Sequence, residues 1–129
     1  MDKKLLIIDN DFNYLTIVEK QMSKESFNVT VADTLPKIYD YLNQNSPDII
    51  LLDVIMNNGE GLIFLKKLSS IIGRTPLIVI SRGKDIDLIE KSFSYGAFDY
   101  LIKPLNLKDL KNKINFALEQ RVNKNTYHV

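Results

Sequence analysis

LLIID at residues 5–9 and IILLD at residues 49–53 follow one pattern, in which four consecutive aliphatic residues are closed by an aspartate. A continuous apolar run, without the alternation of a half-exposed strand, is typical of a strand that is buried on both faces. Such strands occur in parallel sheets covered by helices on both sides. The two stretches therefore predict the centre of a parallel sheet, with a carboxylate at the end of each strand.

Three further apolar runs fit the same sheet. Leu77 to Ile80 and Phe98 to Ile102 are similar to the central strands, and the weaker run from Val29 to Ala32 suits an edge strand. Between the runs lie segments in which apolar residues recur at helical spacing. Five strands that alternate with helices predict an α/β fold, with right-handed crossovers and helices on both faces of the sheet.

Length and composition describe one ordinary globular domain. The chain has 129 residues, of which 45% are apolar and 26% charged, so it can bury one core and is too apolar for a disordered protein. Its 17 basic and 16 acidic residues nearly cancel, so no overall charge draws it to nucleic acid or to a membrane surface. The absence of cysteine excludes a disulfide framework, a thiol nucleophile and a thiolate metal site.

Both ends of the sequence are polar. The apolar run near the start is too short for a signal peptide or a membrane span, so we expect a cytoplasmic protein. Residues 1–121 are predicted to form the domain, and residues 122–129 a polar tail or the start of a linker. The single histidine, His128, lies in that tail and is given no role.

Polar residues follow four of the predicted strands. Ligands of open α/β sheets bind beyond the carboxyl ends of the strands, where this chain has Asp9-Asn10-Asp11, Asp53, Ser81 and Lys103. Any one of the Asp, Asn and Ser residues is explained equally well as a helix cap, but crowded carboxylates repel one another unless a cation neutralises them. Mg²⁺ would do so, Lys103 suits a phosphate oxygen, and an aspartate can act as the nucleophile that takes a phosphoryl group.

Five segments, taken in order, resemble the signatures of the CheY-like receiver domains of two-component systems. They are Leu5–Asp9, Ile49–Asp53, Gly59–Gly61, Pro76–Ser81 and Gly96–Pro104. The resemblance extends from about Leu5 to Leu118. It implies a flavodoxin-like (βα)5 fold, a three-layer sandwich whose parallel five-stranded sheet has the order 2-1-3-4-5, an order that comes from the family and not from the residues.

The resemblance implies that Asp53 is the phosphoacceptor. It also implies Mg²⁺ as the cofactor, held by Asp9, Asn10, Asp53 and the backbone carbonyl of Ile55. Asn10 stands where the family usually has a second acid, so its uncharged amide is expected to weaken Mg²⁺ binding. A register in which Asp11 takes the metal role is an alternative that would lengthen the first strand.

Further residues are assigned roles by the resemblance, and one departs from the family pattern. Ser81 and Lys103 would bind the phosphoryl group, and the Lys103–Pro104 peptide bond would be cis, which is rare even before proline. Tyr100 matches an aromatic switch residue, with a half-buried strand tyrosine as the alternative. Arg82 stands where the family usually has a small residue, and it either shields the site, clamps the phosphate or points away into solvent.

The resemblance also implies partners. The phosphoryl group would come from a sensor histidine kinase or a phosphotransfer protein of a bacterial two-component system. The output would pass from a surface of the fourth helix, fifth strand and fifth helix to an effector protein, or to an effector domain outside this chain. A homodimer is possible, whereas direct binding to nucleic acid or a membrane is not expected. The chain would not be an enzyme, beyond self-phosphorylation from small phosphodonors and autodephosphorylation.

Two other functions remain as alternatives. One is a receiver-like interaction module with impaired Mg²⁺-dependent phosphorylation, which Asn10 and Arg82 favour. The other is a flavodoxin-like cofactor binder, which is disfavoured because no Gly-rich phosphate loop follows the first strand.

Asn57 stands where a proline is common in the family, in the loop after the acceptor. This change would loosen the loop without altering the chemistry.

Overall fold

The computed structural model describes residues 2–56 and 60–127, with side chains up to residue 121. Strands and helices alternate along them: β1 (Lys3–Ile8), α1 (Phe12–Lys24), β2 (Phe27–Ala32), α2 (Leu35–Gln44), β3 (Ile49–Asp53), α3 (Gly61–Ser69), β4 (Leu77–Ser81), α4 (Ile86–Ser94), β5 (Asp99–Ile102) and α5 (Leu107–Tyr127). Three residues named above lie outside the described residues: Asn57, Gly59 and His128.

The strands form one parallel sheet in the order β2-β1-β3-β4-β5, which confirms the predicted fold. Ile8 of β1 lies opposite Leu52 of β3, and Asp53 at the end of β3 lies opposite Ile80 of β4. This register brings the last residues of neighbouring strands to the same level. We call the edge formed by the residues at and after the ends of β1, β3, β4 and β5 the carboxyl edge.

The strand boundaries differ slightly from those expected. β1 begins at Lys3 and β2 at Phe27, each before its apolar run, because backbone pairing between the two strands continues past polar side chains such as Lys3 and Asn28. β5 begins at Asp99 rather than at Phe98, whose N–H still donates to the carbonyl of Leu77 at 2.8 Å. The apolar runs therefore predicted the centres of the strands and not their first residues.

Alternate residues of the strands enter two separate core layers. Leu5 and Ile7 of β1 pack with buried residues of α1 and α5, whereas Leu6 and Ile8 pack with those of α2 and α3. Each layer excludes water from one face of the sheet. The result is the expected three-layer sandwich, in which the central strands are buried on both sides.

Two local features shape the carboxyl edge. Asp11 caps α1, and its Oδ1 accepts from the N–H of Asn13 at 3.3 Å, which fixes the turn between β1 and the helix. Gly61 begins α3 directly against the backbone after β3, because a Cβ at this position would lie 2.2 Å from the carbonyl oxygen of Val54. Only glycine allows this close approach.

The last helix extends beyond the predicted domain boundary. α5 runs from Leu107 to Tyr127, so its backbone stays helical after residue 121, and the division into a domain and a tail at that point remains a prediction. Among the described residues, no helix combines the length and the apolar composition that crossing a membrane requires.

Candidate functional site

Two fully buried aspartates lie side by side at the carboxyl edge. Asp53 is the last residue of β3 and Asp9 directly follows β1. Because Ile8 pairs with Leu52, the repeated pattern of four aliphatic residues and an acid places the two carboxylates on neighbouring strands at the same level. Their common position thus follows from the sequence pattern and the parallel register.

Lys103 supplies the cation between these carboxylates. Its Nζ lies 3.0 Å from Asp9 Oδ2 and 3.0 Å from Asp53 Oδ2. The lysine comes directly after β5, its N–H donates to the carbonyl of Ser81 at 2.8 Å, and the bond that joins it to Pro104 is cis. One ammonium group is therefore shared by two buried acids, and removal of the lysine would leave both of them without a cation.

Backbone N–H groups hold the other oxygen of each aspartate. Asp53 Oδ1 accepts from the N–H of Ile55 at 2.8 Å, and Asp9 Oδ1 accepts from the N–H of Asp11 at 3.0 Å. Hydrogen bonds to the charged form stabilise a buried carboxylate. Ile55 is thus part of the site through its N–H, whereas the metal-binding role of its carbonyl remains a prediction.

The structure assigns Asn10 and Asp11 positions that the sequence did not predict. Asn10 is exposed, and it is Asp11 whose Oδ2 reaches Lys103 Nζ, at 3.5 Å. Asp11 reaches the site without a longer first strand, since β1 ends at Ile8 and Asp11 is the N-cap that precedes the first residue of α1.

The donor set of this cluster fits a hard divalent cation. Carboxylate oxygens of Asp9, Asp11 and Asp53 all lie within 3.5 Å of one positive charge, and such oxygens are the ligands that Mg²⁺ prefers. Within the described ranges, no three acidic, histidine or cysteine side chains are already arranged to hold a metal ion. The carboxylates converge on the ammonium of Lys103 instead, so a metal ion requires this lysine to shift.

Ser81 and Arg82 complete the edge between β3 and β5. Ser81 is buried, and its hydroxyl donates to the carbonyl of Gly83 at 2.9 Å. Arg82 is half-exposed, yet its Nη2 lies 3.8 Å from Asp53 Oδ2. The interpretation of Arg82 as a solvated residue that points away from the site is therefore wrong, while shielding and phosphate binding both remain open.

Tyr14 belongs to the site, although the sequence analysis did not single it out. Its hydroxyl donates to Asp9 Oδ2, and Lys103 Nζ lies 4.4 Å from the centre of its ring. Burial, and then the bond to Asp9, raise the pKa of this phenol above its usual value. In the sequence, Tyr14 is only an aromatic residue in the first turn of the helix after Asp9-Asn10-Asp11. The sequence does not show in which direction that turn points its ring.

Tyr100 lies away from this cluster, on the face shared by α4, β5 and α5. Its ring is half-buried and meets Phe93 edge-on, with ring centres 6.1 Å apart. Lys113 Nζ lies 4.6 Å from the centre of the same ring, and Lys113 also pairs with Asp99 at 3.2 Å. The half-buried position is the one that the alternative interpretation anticipated, and a switching role remains a prediction.

Comparison with known proteins identifies the class of domain that this fold and site define. The family model of the response regulator receiver domain matches residues 5–115. The chain belongs to the response regulator receiver domain family, and it is thus the receiver domain of a two-component response regulator.

Relatives of known sequence and structure agree with this assignment. The chain is 31% identical over 113 residues to the two-component response regulator EHD1 of Oryza sativa subsp. indica, a match that covers 84% of this chain and 32% of that protein. It is 30% identical over 114 residues to the transcriptional regulatory protein KdpE of Staphylococcus aureus, with 88% of this chain and 49% of the relative covered. The chain therefore spans between a third and a half of these relatives.

A solved structure supports the fold. A CheY-like receiver domain protein from Methanospirillum hungatei JF-1 superimposes with a TM-score of 0.88 at 23% identity, over 96% of this chain and 99% of the other. The family match leaves the cofactor-binder alternative without support.

Proposed function

We propose that Asp53 accepts a phosphoryl group from a sensor histidine kinase or a phosphotransfer protein. The observation that carries the proposal is the placement of Asp53, a buried carboxylate with Lys103 Nζ at 3.0 Å and the Arg82 guanidinium at 3.8 Å. Two cations beside a nucleophilic oxygen suit an incoming group that brings about −1.5 to −2 charges.

The transfer step joins a carboxylate oxygen of Asp53 to the phosphorus atom. As that bond forms, the bond between phosphorus and the nitrogen of the donor imidazole breaks, and the donor nitrogen keeps the electron pair. The ammonium group of Lys103 would pair with one oxygen of the transferred phosphoryl group. The Ser81 hydroxyl would release the Gly83 carbonyl and donate to another phosphoryl oxygen. Each of these residues already lies at the carboxyl edge.

Mg²⁺ would be held by Asp9 and Asp53, with Asp11 or Asn10 and the carbonyl of Ile55 completing the oxygen ligands. When bound, the ion would supply positive charge that offsets the charge of the phosphoryl group. Asp11 brings a charge that the uncharged amide of Asn10 lacks, and two observations support it as a ligand: its Oδ2 lies 3.5 Å from Lys103 Nζ, and Asn10 is exposed.

The donor protein would approach the site beside α1, where Arg82 and Lys103 line an opening. A groove of about 510 Å³ lies there, between α1 and the segment after β5, and its apolar part is formed by Ile17, Val18, Leu105 and Leu107. Ile17 is more than half exposed, so the rim offers apolar surface next to the charged site. A protein donor would bury this surface as it delivers its phosphoryl group.

Phosphorylation would then change the surface formed by α4, β5 and α5. By the family resemblance, movement of Ser81 toward the phosphoryl group would be accompanied by an inward turn of Tyr100, whose ring now packs against Phe93 and Lys113. This surface would contact an effector protein, an effector domain outside this chain, or a second copy of the chain. The domain itself would act only by self-phosphorylation from small phosphodonors and autodephosphorylation.

Incubation with a small acyl phosphate and Mg²⁺, followed by intact-mass measurement, tests the proposal. We expect the wild-type chain to gain one phosphoryl group and Asp53→Asn to gain none. Asp87→Asn, which removes an exposed carboxylate in the first turn of α4, is the matched control and should be phosphorylated like the wild type. An equal adduct on Asp53→Asn would place the acceptor elsewhere.

The second candidate is an interaction module with impaired Mg²⁺-dependent phosphorylation. The exposed Asn10 and the proximity of Arg82 to Asp53 favour it. Phosphorylation that is slow in Mg²⁺ but becomes fast in Arg82→Ala would support this candidate. Fast, Mg²⁺-dependent phosphorylation of the wild type would remove it.

A further inference from the structure

Tyr14 contacts both members of the ion pair at the centre of the site. Its hydroxyl donates to Asp9 Oδ2, and its ring lies beneath Lys103 with the Nζ 4.4 Å from the ring centre. A phenol donates one hydrogen bond, and an ammonium group over an aromatic ring is attracted to its face. One side chain therefore stabilises the carboxylate and the lysine in the positions that they now occupy.

The remaining contacts of Asp9 show what this hydrogen bond prevents. Oδ1 accepts from the N–H of Asp11, while Oδ2 accepts from Tyr14 and forms an ion pair with Lys103, whose Nζ lies 3.0 Å away. A carboxylate oxygen offers about two lone-pair sites, so Oδ2 is engaged by a hydrogen bond and by a cation at the same time. A divalent cation that binds through this oxygen must displace Tyr14 or Lys103.

We propose that Tyr14 holds Asp9 and Lys103 in this resting arrangement and competes with a divalent cation for Asp9. Tyr14 is then a positioning residue that sets the metal affinity of the site. The inference rests on the proposed function in one respect only, namely that a divalent cation binds among these carboxylates. A contrary role, in which Tyr14 orients Asp9 as a metal ligand, predicts the opposite effect of its removal.

Two substitutions separate the contacts of Tyr14. Tyr14→Phe removes the hydroxyl and keeps a ring beneath Lys103, whereas Tyr14→Leu removes both contacts. The matched control is Tyr39→Phe, since Tyr39 is exposed on α2 and its ring packs against Phe64 of the opposite core layer. Thermal unfolding of each variant verifies that it is folded.

Mn²⁺ serves as the probe, because the electron paramagnetic resonance signal of the free ion reports binding directly, and Mg²⁺ competition gives the affinity for the lighter ion. We expect Tyr14→Phe to bind about tenfold more tightly than the wild type, the order expected for loss of a hydrogen bond to a charged group. Tyr14→Leu should bind more tightly still, and Tyr39→Phe should match the wild type.

Unchanged or weaker binding by Tyr14→Phe would overturn the proposal, as would the absence of binding by every variant. The acyl phosphate experiment separates this result from the proposed function. A wild type that is phosphorylated while Tyr14→Phe binds Mn²⁺ no more tightly contradicts the role of Tyr14 alone. Tighter Mn²⁺ binding by Tyr14→Phe in a chain that accepts no phosphoryl group upholds the role of Tyr14 and contradicts phosphorylation of Asp53.

Discussion

The two ends of the sheet both pair acidic and basic residues, but in different ways. At the carboxyl edge, two fully buried aspartates share Lys103, whose side chain is 11% exposed. At the opposite end, Asp48 meets Arg121, with about 30% of each side chain exposed, and Asp48 also accepts from the N–H of Lys4 at 2.7 Å. The second pair is balanced in charge and ties backbone segments together.

The difference shows where charge is unbalanced. Two buried carboxylates and one ammonium leave a negative charge at the carboxyl edge, and the exposed Arg82 approaches it from outside. Buried groups of this kind do not stabilise a fold efficiently, and they suit the binding of a cation or a change of partner. The balanced pair around Asp48 is explained by structure alone.

Loss of Lys103 should give the largest effect. Lys103→Met leaves Asp9 and Asp53 without their shared cation, and we expect a loss of about 3–5 kcal/mol in the free energy of unfolding. Arg121→Met removes a partly exposed pair at the other end and should cost about 1 kcal/mol or less. Urea unfolding of both variants measures the contrast, and equal losses would show that the two ends do not differ in this way.

Substitution of two glycines, one at each end of the sheet, should give the next largest difference in stability. Gly61→Ala places a Cβ 2.2 Å from the Val54 carbonyl oxygen beside the site, so we expect a loss of about 3 kcal/mol. Gly73 also lies near the far end of the sheet, with φ at +60° and open space around it, so Gly73→Ala should cost about 1 kcal/mol. Thermal unfolding compares them, and similar melting temperatures would mean that the backbone near Val54 yields easily.

Asp33 should give the smallest effect, because it lies directly after the edge strand β2 and its side chain is partly exposed. A hydrogen bond from Lys37, 2.8 Å away, holds the pKa of Asp33 below its usual value. The stabilisation is therefore present above the ordinary carboxyl pKa and is lost as the pH falls through the lowered value. Urea unfolding of Asp33→Asn should show a slight loss at pH 7 and none in strong acid. A loss that persists in acid would mean that the carboxylate charge is not its source.

The sequence predicted the parts of the site that depend on strand ends. Asp9 and Asp53 follow aliphatic runs, and Lys103 follows the last strand, so the parallel sheet alone brings them to one edge. The order of the strands came from the family resemblance, since apolar runs do not encode which strands are neighbours.

The parts that were missed or left open depend on the local geometry of helix starts and on side-chain direction. Asp11 reaches Lys103 because it caps α1, and Tyr14 faces the site because that helix begins one residue later. Arg82 turns toward Asp53 by a choice among its side-chain rotamers. These features need three-dimensional coordinates, since no spacing rule distinguishes Tyr14 from an ordinary helical aromatic residue.

The length of α5 gives the output face a mechanical property. The helix has 21 residues, which makes it about 30 Å long, and it is attached to the sheet near Tyr100 through Lys113 and to Asp48 through Arg121. Between these points Leu110, Ile114 and Ala117 pack against the sheet, so the helix would shift as one rigid rod. A rearrangement beside β5 that shifts the helix at Lys113 would therefore also displace its end near Tyr127 and reach whatever contacts that end.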